Sequence, residues 1–130
     1  MLIIGHEIIP YEDINIIKSV DDIKKSKTNS TVLFDYNIAL MDYCMQNNIS
    51  YGVYINDIKS AVFANSLHAK YLLVSIKSSL EIQKIANEYM FDAKVLEIIL
   101  DDSMIESVAK KNIDGIIYEN CIKGMIWIQL

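Results

Sequence analysis

The side chains of this 130-residue chain that could do chemistry are few. Carboxylates stand at Asp35, Asp57, Asp101 and Asp102, an ammonium at Lys77 and an imidazole at His6, each just past a short apolar run or at the start of a helix-like stretch. Carboxylate oxygens suit a hard divalent cation, and such a cation beside a lysine stabilises a transferring phosphoryl group. On that reading Asp35, Asp57 and Asp101 are candidate metal ligands, and Asp35, Lys77, Asp101, Asp102 and His6 are candidate catalytic residues. A simpler account competes with it. Asn37, Asp57, Ser78 and Ser103 each stand where a helix needs an N-cap, and capping alone explains their residue types. His6 has neither a second ligand nor a hydroxyl nucleophile at motif spacing, which makes a loop histidine its default role.

Asp35, Ser75, Lys77 and Asp101-Asp102 fall in that order along successive apolar runs. The arrangement resembles the haloacid-dehalogenase phosphatases, which implies a nucleophilic Asp35 supported by Ser75, Lys77 and the acidic pair. The DxD opening of that family reads Asp35-Tyr36-Asn37 here, so the carboxylate for the acid/base step is replaced, and Asp35 does not follow the first strand. His68-Ala69-Lys70 is similar to the HxK motif of phospholipase D-type phosphodiesterases, implying a nucleophilic His68 and a phosphate-gripping Lys70. The aspartate of that motif is Ser75 here, and no Gly-Ser pair follows. A receiver domain would carry an acidic pair after its first strand, where this chain has His6-Glu7. The four glycines, at 5, 52, 115 and 124, make neither GxGxxG nor GxxxxGK[ST], so no glycine loop can bring backbone amides against a diphosphate. No cofactor is expected.

Composition narrows the classes. With 52% hydrophobic and 22% charged residues the sequence has the make-up of a folded domain, and no apolar run reaches the roughly 18 residues of a membrane span. Net charge is −5 and all 12 basic residues are lysines, never gathered with aromatics into a stripe, so nucleic acid is a poor partner. The start has no basic region before its apolar run and no small-residue cleavage site, and Cys44 and Cys121 form no CxxC or Cys/His grouping. Both features point to the cytoplasm, with no membrane association. The absence of arginine and the 24 isoleucines resemble the usage of small α/β proteins from AT-rich bacteria.

The elements that must position these residues are legible as a repeat. Residues 68–103 read as strand, helix, strand, with 71–74 apolar without alternation and therefore covered on both sides. A strand bent around Gly5 is expected over 2–9, a short strand over 14–18 and a helix opening at Ser19 with acidic residues in its first turn. Strands are expected at 31–34, 51–55, 71–76, 95–100 and 115–118. Helices capped by Asn37 and by Asn56 or Asp57 follow two of them. Ser78 with Glu81, and Ser103 with Glu106, have capping-box spacing. Tyr89 belongs to the expected inward stripe of the helix after Ser78. Glu97, a carboxylate in mid-strand, is expected on a sheet edge. The fold class is α/β: one domain over 1–130, an open, mostly parallel sheet of about five to six strands with helices on both faces, Rossmann-like or flavodoxin-like.

On this reading the chain is a small non-enzymatic module that acts through a protein partner or its own oligomer. The alternative is a phosphate-ester or small-ligand protein using an acidic rim at the carboxyl ends of the strands. The uncharged, β-favouring segment 125–130 is expected to mediate a homodimer, with Met125, Trp127 and Ile128 at the interface.

Overall fold

A computed structural model gives the structure of residues 1–125. Seven strands alternate with five helices: β1 (Leu2–Ile4), β2 (Ile14–Ile16), α1 (Val20–Lys25), β3 (Thr31–Asp35), α2 (Ile38–Gln46), β4 (Tyr51–Tyr54), α3 (Ile58–Ser66), β5 (Tyr71–Val74), α4 (Ile76–Glu88), β6 (Lys94–Ile99), α5 (Ile105–Lys110) and β7 (Gly115–Tyr118). The α/β class and the single parallel sheet are as expected, but the strands number seven and not five or six. Every pairing is parallel, in the order β1-β7-β6-β5-β4-β3-β2. The two edge strands have three residues each, too few to carry a clear sequence period. Residues 7–9, expected to prolong the first strand, form a turn instead.

From β2 to β7 each strand lies beside its predecessor, so the right-handed crossovers all advance in one direction. That puts the helices on one face, which corrects the expectation of helices on both. Ile23 of α1, Met41 of α2, Ala61 of α3, Ile82 of α4 and Val108 of α5 join one apolar cluster with Val32, Val53, Leu72, Val95 and Ile116 of the strands. The alternate strand residues Leu33, Leu73, Leu96, Ile98 and Ile117 form a second cluster. Among the described residues its helical contribution comes from Ile122 and Cys121 of the 3-10 turn Glu119–Ile122. The sheet curls, and this second face is buried. Curling requires thin spots. At Gly52 a Cβ would come within 2.7 Å of Leu33 Cδ2 and 3.0 Å of Tyr71 Cβ, so the missing side chain lets the neighbours on β3 and β5 close over β4.

The caps divide. Ser19, Asn37 and Asp57 accept from the backbone amides of Asp22, Leu40 and Ser60 as expected. Ser78 does not cap α4, which starts earlier with Ser75 at the capping position, so the expected box lies within the first turn. Ser103 is likewise no cap. The chain enters a 3-10 turn, Asp102–Met104, capped by Asp101, whose carboxylate accepts from both the amide and the hydroxyl of Ser103. Tyr89 is 70% exposed, because α4 stops at Glu88 and the stripe stops with it.

Glu97 is the main correction. β6 is interior to the sheet, and Glu97 is fully buried beneath the helices, where Oε1 accepts from Lys111 Nζ at 2.7 Å. Lys111 also donates to Ser79 Oγ at 3.2 Å, tying β6 to α4 and to the end of α5. Glu97 Oε2 has no hydrogen-bond partner among the described residues. Lys111→Met should therefore destabilise the protein by about 3–5 kcal/mol, since a buried carboxylate is left without its cation, whereas Glu97→Leu combined with Lys111→Met should recover most of that loss. Urea titrations of the wild type and the two variants measure it. Leu73→Asp, on the central strand, should leave no cooperative unfolding transition, because an unpaired carboxylate there costs several kcal/mol of a total of about 5–15.

Candidate functional site

Sheets of this kind offer ligands the carboxyl ends of their strands. Gly5, at φ +107°, turns the chain sharply after β1 and brings His6 over the end of β7. The imidazole lies 5.8 Å from the Tyr118 ring, with Nε2 3.6 Å from Asp102 Oδ2. Tyr118 donates its hydroxyl proton to Asp102 Oδ1. Burial, and after it the Asp102 charge, push the Tyr118 hydroxyl up to about 12, so it stays protonated as a donor. Asp101, Ser103 and Asn120 complete a pocket of about 500 Å³.

Three of the expected catalytic residues, His6, Asp101 and Asp102, thus converge. His6 faces Asp102 at 3.6 Å, and Asp102 keeps most of its side chain in solvent. His6 Nδ1 accepts from the Ile8 amide at 3.2 Å, which places the ring proton on Nε2, facing Asp102. The Nδ1 lone pair is thereby used within the loop and is not free for a substrate. Asp101 is held below the usual carboxylate range by the hydroxyl and amide of Ser103, and stays charged as a turn cap. Tyr118 is the member of the cluster that sequence reasoning missed. As an apolar-run residue in β7 it reads as core, and only its place at the strand's end hints otherwise.

The remaining candidates stand apart. Asp35 ends β3, separated from the end of β6 by three strand spacings, roughly 14 Å along the sheet. It lies close to Tyr54, whose hydroxyl pKa is raised by burial and by that carboxylate. Asp57 caps α3, and the Ser60 amide keeps its pKa low. Lys77 is exposed in the first turn of α4. Among the described residues no three His, Cys, Asp or Glu side chains are placed to hold a metal ion. His68 is exposed at φ +67° after α3, and Lys70 is engaged elsewhere. No helix of the described residues is long and apolar enough to cross a membrane.

Lys70 belongs to a second polar cluster, at the opposite end of the sheet and centred on Glu12. Lys70 Nζ donates to both carboxylate oxygens, at 3.0 and 2.9 Å, and the hydroxyls of Thr31 and Tyr71 donate to them as well. Thr31 is also linked to Ser50 across 2.9 Å. Glu12 therefore pins the connection between β1 and β2 to the starts of β3 and β5. Nothing in its local sequence signals this, since the three partners lie 19, 58 and 59 residues away.

No protein-family model matches this sequence, and no curated protein matches it.

Partial burial acts to raise the Glu12 pKa, but the three donors outweigh it and the net shift is downward. A depressed folded-state pKa gives stability that is present above the ordinary value of 4.5 and is lost as pH falls through the folded value. Glu12→Gln should cost about 1–2 kcal/mol at neutral pH, the carboxylate being partly exposed, and the two proteins should converge in stability in acid. Thermal melts across the acid range test it.

Proposed function

We propose that this chain is a non-enzymatic α/β module that works by joining its sheet to a partner, a second copy of itself in the first instance. The observation that carries the reading is the pair of sheet edges. Among the described residues β1 and β2 are paired on one side only, and no backbone group bonds to their outer sides. Their sequences, Leu-Ile-Ile and Ile-Asn-Ile, carry none of the charges or prolines that protect natural edges. On either side of β2, Asp13 and Ile17 bond to β3, so the alternation of the ladder turns the amides of Ile14 and Ile16 outward, toward any added strand.

The rim supports the same reading, because His6 Nδ1 accepts from the Ile8 amide, Asp102 accepts from the Tyr118 hydroxyl and Asp101 caps a turn, which accounts for these three groups structurally. The C-terminal segment supplies a partner strand of suitable composition, apolar and without charged side chains. Met125, where it begins, packs against the cluster on the concave face of the sheet. Trp127 and Ile128 lie outside the described residues.

Light scattering on the full chain, on a version ending at Gly124 and on Leu2→Lys tests this. The full chain should be a dimer that either change converts to a monomer with an unaltered circular-dichroism spectrum. A monomeric full chain, or a dimer indifferent to both changes, defeats the reading.

A further inference from the structure

At the amino-terminal ends of β3 and β4 the polar groups behave differently from those of the rim. A pocket of about 550 Å³ opens there, lined by α1, α2 and the loops that lead into the two strands. Its floor is apolar, formed by Ile23, Val32 and Ile49. Lys24, Lys27, Tyr43 and Asn48 stand around it. None of these four side chains has a hydrogen-bond or salt-bridge partner among the described residues, and no carboxylate lines the pocket. Three other pockets each hold at least one carboxylate: Glu12 and Asp13 in one, Asp22 in another, and Glu7, Asp101 and Asp102 at the rim. In a chain of net charge −5 this is a local reversal of sign.

We propose that this pocket binds a small phosphorylated molecule. Two ammonium groups balance a phosphate-monoester dianion, and the Tyr43 hydroxyl and Asn48 amide supply neutral donors for its remaining oxygens. Lysines act here as point charges, in a chain with no arginine to grip phosphate in two bonds. The apolar floor takes the organic part of the ligand, and the volume lies within the roughly 300–1,000 Å³ of small-molecule sites. A free carboxylate would leave one ammonium unbalanced, and a neutral ligand would leave both. The site is independent of the sheet edges, so self-association and phosphate binding stand or fall separately.

The test is a titration of the ¹⁵N-labelled full chain followed by amide chemical shifts, at constant ionic strength because exposed charges are screened by salt. The probes are phenyl phosphate, inorganic phosphate and phenol. Phenyl phosphate should produce saturable shifts confined to residues 23–32 and 43–50, with inorganic phosphate weaker at the same amides and phenol without effect. Lys24→Ala combined with Lys27→Ala should keep a dispersed spectrum and weaken phenyl phosphate about tenfold or more. Absence of saturation, shifts centred elsewhere, equal binding of phenol, or an unchanged affinity in the double variant would each overturn the proposal.

Discussion

Everything in this molecule follows from one constraint, a right-handed crossover repeated in a single direction. Five successive steps from β2 to β7 place five helices on the same side, leaving a second face to which, among the described residues, only the 3-10 turn Glu119–Ile122 adds helical residues. A row of leucines and isoleucines cannot face water, and here the sheet curls and Ile122, Cys121 and Met125 pack against that row. The first strand completes the arrangement by pairing beyond β7, far from its neighbour in sequence. The connection over residues 5–13 must then travel from one edge of the sheet to the other and from the carboxyl ends of the strands to their amino ends. Its two anchors are His6 at the start and Glu12 near the finish.

Those anchors show how the fold handles charge. Glu12 meets a lysine and two hydroxyls in a place that is only partly closed to water, so donors overcome desolvation and the carboxylate stays ionised. Glu97 lies in a drier setting, with one oxygen bonded to Lys111 and the other without a described partner. A buried ion pair of this kind adds little over an apolar pair of the same volume. What it does supply is direction. Glu97 and Ser79 both meet Lys111, a directional link between β6, α4 and the end of α5 that apolar contacts do not make.

The strands and helices of the middle of the chain were readable because local signals agree there. At β3, β4 and β5 an apolar run of four or five residues is followed by a side chain that suits a helix start, and Asn37 and Asp57 do cap as their positions imply. The errors cluster where local signals conflict with long-range geometry. Ser78 and Ser103 have good spacing to Glu81 and Glu106, but helix α4 begins sooner and the 3-10 turn intervenes before α5. Glu97 looked like an edge residue because its partner is fourteen positions away, beyond the reach of any period. Helix placement on one face was hidden too, since strand order is a property of crossovers and not of the strands' own residues. For the rim, His6, Asp101 and Asp102 were visible as residue types; that His6 would face Asp102, and that Tyr118 would join them, depended on the return of β1 beside β7.

The two ends of the sheet therefore have contrary characters. In α/β sheets the carboxyl end is the customary place for ligands because loops there feed helix N-termini, whose amides attract anions. Here those positions are filled from within: Asn37 and Asp57 satisfy the amides of α2 and α3, Asp101 does so for the turn before α5, and acidic side chains would repel the anions that bare termini attract. At the amino end the helices finish, and lysines gather by the same dipole logic that put the acids opposite, with Lys24 and Lys25 in the last turn of α1. A helix C-terminus accounts for lysines near it, but it does not account for the apolar floor beneath Lys24 and Lys27 or for a tyrosine and an asparagine at the same pocket with no side-chain partner among the described residues. Capping accounts for Asn37, Asp57 and Asp101 at the carboxyl end, whereas at the amino end the dipole accounts for the lysines and not for the pocket they border.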